Sequence, residues 1–83
     1  MESQIAEWLY DGVQALVQGN KELARDLLLK VVEADENIEE AWLWLSGAVD
    51  DVDDQRTALE NVLALNPDNP YAQSGIAYLD RMR

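Results

Sequence analysis

The sequence predicts an all-α fold of five helices, and two observations support that prediction. Apolar residues recur at steps of three and four along most of the chain, which is the spacing that places them on one face of a helix. The stretch 39–47, EEAWLWLSG, is apolar on more than one side, because Leu43 and Trp44 lie off the face that Trp42 and Leu45 share. Such a helix must be covered on more than one side, so we expect it to be a middle helix.

The first two helices are predicted to form an antiparallel pair. The first helix covers residues 4–18, with Ser3 as its N-cap. Gly19 ends it, since glycine adopts the left-handed conformation at low cost, and Asn20 caps a second helix over residues 21–34. A break this short forces the two helices to run antiparallel. The first helix has a wide apolar stripe of Ile5, Trp8, Leu9, Gly12, Val13, Leu16 and Val17. The second is predicted to direct Leu23, Leu27, Leu28, Val31 and Val32 inward.

The third helix is the apolar one and is predicted from about Ile38 to Val49. Asn37, followed three residues later by Glu40, resembles a capping box at its start. The run DDVDD at residues 50–54 breaks the helix. The last two aspartates of that run are the candidate caps of the fourth helix, because aspartate is a favoured N-cap residue.

Two Asn-Pro pairs mark the boundary between the fourth and fifth helices. The fourth helix is predicted over about residues 54–65 and ends at Asn66 and Pro67, because proline disfavours a helical conformation in the residue before it. Asn69 then caps the fifth helix, with Pro70 as its first residue. The fifth helix continues to the end of the chain.

Length and charge limit the class of partner. Residues 1–83 suffice for one domain, and 48% of them are hydrophobic, enough for a core. The net charge of −11 repels phosphate backbones and anionic bilayers, so we expect neither nucleic acid nor membrane as a partner. No apolar run approaches the roughly 18 residues that span a bilayer. The N-terminal sequence MESQIAEW lacks the regions of a signal peptide, so we expect a cytoplasmic protein.

Catalysis and cofactor binding find no support in the sequence. The chain has no Cys and no His, which removes thiolate ligands, the commonest general base and the commonest metal ligand. The DDVDD run lacks the spacing of a calcium loop, so we assign its aspartates to turns and caps. Glu39 and Glu40 could transfer protons, but nothing supplies a second catalytic role. We therefore predict a protein that is not an enzyme and binds no cofactor or metal.

A repeat is visible when the chain is compared with itself. Trp8 and Trp42 are 34 residues apart, and each opens a helix that is followed by a second helix of matching pattern. Both copies resemble the tetratricopeptide repeat (TPR), whose helix pair carries Trp-x2-Leu-Gly-x2-Tyr, then Ala-x3-Phe, then Pro. The matching positions are Trp8, Gly12, Gly19, Ala24 and Leu28 in the first copy, and Trp42, Leu45, Ser46, Val49, Leu59, Val62 and Pro67 in the second. Asp11 replaces the usual Leu, Ala15 and Val49 replace Tyr, and Gln55 replaces Ala.

The resemblance implies a fold and a binding surface. The fold would be a right-handed α-solenoid fragment, with repeat one at about residues 5–38, repeat two at about 39–69 and a capping helix at about 70–82. The first helix of each pair would line a concave groove, which the last helix closes on one side. Carried over by position, the groove residues are Leu9, Tyr10, Val13, Val17, Glu40, Leu43, Trp44, Gly47, Asp50 and Asp51, with Tyr71, Ser74 and Tyr78 from the last helix.

The function that the resemblance implies is that of a non-catalytic scaffold that binds a peptide or a partner helix. Tyr10 and Trp44 are the expected anchors, because large amphipathic rings dominate binding energy at interfaces. An acidic rim with aromatic anchors suits a basic or amphipathic segment of a partner protein. The alternative is a structural role, in which a second copy (a homodimer) or another part of a longer chain fills the groove.

Overall fold

A computed structural model describes residues 2–82, and five α-helices account for most of them. No β-strand occurs within this described range. The helices are α1 (Ser3–Val17), α2 (Lys21–Ala34), α3 (Glu39–Ala48), α4 (Val52–Leu65) and α5 (Pro70–Arg81). The all-α prediction and the number of helices are therefore confirmed for this part of the chain.

Several predicted helix boundaries are confirmed, among them the end of α4 at Leu65, before Asn66 and Pro67. Gly19 has a φ of 86°, the left-handed conformation expected between α1 and α2. The side chain of Asn20 accepts a hydrogen bond from the amide of Leu23 at 3.2 Å and so caps α2. Asn69 caps α5 in the same way, with Pro70 at the start of the helix.

Two of the predicted N-caps are wrong. Ser3 is the first residue of α1, and Glu2 caps that helix by accepting a hydrogen bond from the amide two residues further on. The fourth helix is capped by Asp51, so the predicted caps Asp53 and Asp54 lie in its first turn. In both places an earlier carboxylate can accept the free amides, and the helix therefore begins earlier than the pattern predicted.

The capping box predicted at the start of α3 is also wrong. The amide of Asn37 donates to Oδ1 of Asp35 at 3.0 Å, which makes Asn37 part of a turn. Ile38 is the N-cap residue, without a hydrogen bond from its side chain, and it packs against the core instead. The turn thus places an apolar residue where the pattern predicted a polar cap.

The residue that departs from the repeat pattern in α4 has a contact of its own. Gln55 donates from Nε2 to the carbonyl oxygen of Val49 at 3.0 Å. Val49 follows the last residue of α3, where carbonyl groups have no partner within the helix. Gln55 therefore holds the short turn between α3 and α4, a contact that alanine could not make.

Helices that follow one another in the chain pack side by side. Helix α3 contacts α2 and α4, and it also touches α1. The prediction that this apolar helix lies in the middle is therefore confirmed. Its inner residue Leu45 is buried, as is Val49 just after its end, and Trp42 is half-buried.

The buried side chains form two clusters. The first core joins α1, α2 and α3 and contains Ile5, Leu9, Ala15, Ala24, Leu28, Val31, Val32, Ala41, Leu45, Ala48 and Val49. The second core joins α4 and α5 and contains Leu59, Val62, Ala72 and Leu79. Trp42 packs against both cores, and its Nε1 donates to the carbonyl oxygen of Glu36 at 2.8 Å.

One residue that was predicted to point inward from α2 does not. Leu23 is 46% exposed. The buried face of α2 is centred on Ala24, Leu28 and Val31, and each step along a helix turns the side chain by about 100°. Leu23 therefore lies at the edge of that face, where it stays partly open to solvent.

Candidate functional site

Apolar side chains of α3 and the first turn of α5 line a cleft of about 530 Å³, which we name the α3/α5 cleft. Helix α3 contributes Glu40, Leu43 and Trp44, and α5 contributes Tyr71. Leu43 and Trp44 follow Glu40 by three and four residues, so both lie next to it on the surface of that helix. Trp44 is 37% exposed and Tyr71 is 72% exposed, which leaves both rings open to contact from outside.

A second hollow, of about 360 Å³, adjoins this cleft towards the start of α3. It is lined by Ile38, Glu39, Glu40, Leu43, Asn69 and Tyr71. Three of these residues, Glu40, Leu43 and Tyr71, also line the α3/α5 cleft. The open surface therefore runs along α3 from its first turn to Trp44, with Tyr71 beside it.

Hydrogen bonds to Glu39 hold the wall formed by α5 in place. Oε2 of Glu39 accepts from Nδ2 of Asn69 at 2.5 Å and from Nδ2 of Asn66 at 3.0 Å. These bonds, that from Asn69 above all, hold the pKa of Glu39 below its ordinary value, because they favour the ionised carboxylate. Asn69 also caps α5, so the start of α5, with Tyr71, is fastened to the start of α3.

The two aspartates of the predicted groove lie in a different place. Asp50 pairs with Lys21 across 2.5 Å, and that hydrogen bond and the lysine's charge hold the pKa of Asp50 below its ordinary value. Asp51 caps α4. Both line a hollow of about 420 Å³ between α2 and the α3–α4 turn, together with Lys21, Glu22, Arg25, Ala48, Val49 and Asp54. Their neighbours are thus the charged residues of α2 rather than Trp44.

The predicted groove residues of α1 are divided between core and surface. Leu9 is 8% exposed and belongs to the first core, so it contributes to stability instead of lining an open surface. Val13 is half-buried against the same core. Tyr10 and Val17 are mostly exposed, as is Tyr78 near the far end of α5.

The structure thus brings together only part of the predicted site. Glu40, Leu43 and Trp44 share one cleft with Tyr71. The contribution of Glu39 was not anticipated, because the two asparagines that bind it were interpreted only as helix boundaries.

The described residues were also compared with the requirements of a metal site and of a membrane-spanning helix. Within residues 2–82, no group of three or more Asp and Glu side chains is placed so that it could hold a metal ion. None of the five helices combines the length and the apolar character needed to cross a membrane.

Comparison of the chain with protein-family models, with curated proteins and with solved structures returns no match. Function therefore has to be inferred from the side chains themselves. The α3/α5 cleft is the surface that combines two exposed rings with an apolar side chain and a volume of about 530 Å³.

Proposed function

We propose that this chain is a protein-interaction domain whose α3/α5 cleft holds a basic, amphipathic segment of a partner protein. In this proposal the five helices are two TPR-like pairs followed by a capping helix. The observation that carries it is the pair of exposed rings, Trp44 and Tyr71, on either side of one cleft with Leu43 on its wall.

The exposure of these rings is what favours binding. A large apolar side chain gains free energy when it leaves water, at about 25 cal/mol for each Å² that is buried. Residues of this kind supply most of the energy at protein interfaces, and each one that acts as a hot spot contributes about 2 kcal/mol or more. Trp44 and Tyr71 are therefore suited to act as anchors for an apolar face.

Charge determines which apolar face fits. Glu40 lies in the cleft, Glu39 lies in the hollow beside it, and the chain as a whole carries a net charge of −11. Opposite charges speed encounter and select the partner, whereas like charges oppose it. A segment with lysine or arginine on one face and apolar residues on the other matches both features of the cleft.

Self-association through the same cleft is the alternative function. Two copies would bring the acidic residues of both clefts together, which costs energy unless each carboxylate finds a cation. Sedimentation equilibrium over a wide range of concentration tests this alternative. We expect the monomer mass of 9.4 kDa at every concentration. A wild-type dimer that becomes a monomer in the Trp44→Ala variant would favour the structural role over partner binding.

Binding is tested with a designed probe. The probe is a synthetic helical peptide that has leucines on one face and lysines on the other, and its matched control carries glutamate in place of every lysine. Titration calorimetry should detect the basic peptide and not the acidic one. Nitrogen-15 NMR spectra should place the shift changes at Glu40, Leu43, Trp44 and Tyr71.

Variants locate the binding surface. Trp44→Ala should weaken binding of the basic peptide by about 30-fold, which corresponds to a loss of about 2 kcal/mol. Leu23→Ala is the control, because Leu23 is exposed to a similar degree on α2. An equal loss of affinity in both variants, or shift changes centred away from α3 and α5, would contradict the proposal.

A further inference from the structure

One carboxylate oxygen joins three helices. Oε2 of Glu39, in the first turn of α3, accepts hydrogen bonds from Asn66, which follows the last residue of α4, and from Asn69, which precedes the first residue of α5. The two donors lie 27 and 30 residues further along the chain. Both ends of the α4–α5 turn are thus fastened to the start of α3.

Asn69 uses both ends of its side-chain amide in this arrangement. Its Nδ2 donates to Glu39, and its Oδ1 accepts from the amide of Ala72 at 3.0 Å. Asn69 is 7% exposed, so a side-chain group without a partner here would be costly. The cap of α5 and the bond to α3 therefore depend on the same residue.

Apolar contacts alone hold α5 weakly. Its buried residues are Ala72 and Leu79, and Tyr71 is mostly exposed. The remaining ties of α5 are polar: Gln73 donates to the carbonyl oxygen of Pro67 at 2.8 Å, and Arg56 pairs with Asp80 at 2.8 Å. Among the polar contacts of α5 within residues 2–82, the bond from its cap Asn69 to Glu39 is the one that reaches α3, where Trp42 and Leu43 add apolar contacts to the second core.

We propose that Glu39 is a positioning residue for the α3/α5 cleft: its carboxylate holds the first turn of α5, and with it Tyr71, against α3. Without these bonds the start of α5 separates from α3 while α1, α2 and α3 stay folded. Hydrogen bonds to an ionised group are the stronger ones in proteins, and segments with few buried contacts open locally. The link to partner binding rests on the proposed function, whereas the position of α5 does not.

Native-state hydrogen exchange of the free protein, followed by NMR, tests the positioning role. In Glu39→Ala, the amides of α5 should exchange faster by about tenfold or more, since a bond to a charged group is lost. The amides in the middle of α1 and α2 should keep their rates. Glu40→Ala is the control. Glu40 occupies the same first turn of α3, so both variants lose one favourable interaction of a carboxylate with the helix dipole, but only Glu39→Ala should speed exchange in α5.

An exchange of donor and acceptor tests the pairing itself. Asn69→Asp keeps an oxygen that can cap α5 but places a second carboxylate against Glu39, so exchange in α5 should rise. Adding Glu39→Gln provides an amide that donates to the new aspartate. The double variant should therefore return the exchange of α5 most of the way towards the wild-type rate.

Three results would overturn the proposal. These are unchanged α5 exchange in Glu39→Ala, an equal rise in all five helices, and a double variant no slower to exchange than Asn69→Asp alone. Binding of the basic peptide to the wild-type protein tests the proposed function separately from the positioning role of Glu39. Failure of wild type to bind that peptide, together with fast α5 exchange in Glu39→Ala, would reject the function and keep the positioning role.

Discussion

The two ends of the molecule are stabilised in different ways. The first core contains eleven buried hydrophobic residues drawn from α1, α2 and the inner face of α3. The second core contains four, from α4 and α5. Burial of apolar area is the main favourable term in folding, so the first core supplies most of the stability and α5 depends on its neighbours for the rest. The cleft proposed for binding lies at the less buried end, next to the hollow that Glu39 lines.

Loss of the residue shared by the two cores should have the largest effect. Trp42 packs against both cores and donates a hydrogen bond to the carbonyl oxygen of Glu36. Trp42→Ala should lower the free energy of unfolding by about 3–5 kcal/mol, the range for removal of a large aromatic side chain from a core. Urea unfolding followed by far-ultraviolet circular dichroism measures this loss.

Trp44 provides the matched control for that measurement. It stands two positions further along the same helix and is 37% exposed, on the outer face. Trp44→Ala should change stability by no more than about 0.5 kcal/mol, as is usual for surface positions. Comparable losses of unfolding free energy in the two variants would contradict the assignment of Trp42 to the core and Trp44 to the surface.

The same truncation made in each core should give unequal results. Leu28 is fully buried in the first core, and Leu79 is 3% exposed in the second. Leu28→Ala should destabilise the whole chain by about 2–5 kcal/mol. Leu79→Ala should mainly accelerate hydrogen exchange in α5, because that helix can open while the first core persists. Equal changes in exchange over all helices in both variants would mean that the chain has one cooperative core.

Local sequence pattern predicted the elements well because their causes are local. Gly19 takes a positive φ, and Asn20 and Asn69 cap the helices that follow them, as their residue types predicted. The errors at Ser3 and at the start of α4 arose where another carboxylate close by, that of Glu2 or Asp51, accepts the free amides instead. The sequence pattern alone does not show which of several adjacent polar residues caps the helix.

Contacts between distant segments were the part that could not be predicted. Leu9 was assigned to a groove by its position in a repeat, but its side chain closes the first core. The bond between Glu39 and Asn69 spans 30 residues and leaves no periodic trace in the sequence. Residues that fix one helix on another therefore have to be found from the folded chain.

Substitution of two helical glycines by alanine should have smaller effects on stability, of opposite sign. A Cβ at Gly12 would lie 3.0 Å from Cγ of Leu28, whereas a Cβ at Gly47 would meet only Cδ2 of Leu16, at 3.6 Å. Gly12→Ala should destabilise the protein by about 1–3 kcal/mol through overpacking. Gly47→Ala should stabilise it by up to about 1 kcal/mol, the gain in helix propensity. Thermal unfolding of both variants checks the signs, and a stabilised Gly12→Ala would show that Leu28 can move aside.

The smallest effect expected is the dependence of stability on pH through Glu39. Hydrogen bonds from Asn69 and Asn66 hold the pKa of Glu39 in the folded chain below the ordinary value of about 4.3 that it has when unfolded. The folded state therefore binds this proton less readily, and the resulting stabilisation is present above the ordinary pKa and is lost as the pH falls through the folded one. The difference in unfolding free energy between wild type and Glu39→Gln should thus be largest near neutral pH and shrink below about pH 4.

The effect of salt distinguishes the contribution of Glu39 to stability from that of Asp50, the other carboxylate described above with a lowered pKa. Asp50 has the same sign of pH dependence, but its partner is the charged side chain of Lys21, and the side chain of Asp50 is 86% exposed. The screening length falls from roughly 10 Å at 0.1 M salt to about 3 Å at 1 M, so the difference between wild type and Asp50→Asn should shrink as salt is raised towards 1 M. The difference for Glu39→Gln should persist, because the partners of Glu39 are neutral amides. Equal salt sensitivity in both variants would mean that Glu39 acts through the general acidic field of the chain and not through its two asparagines.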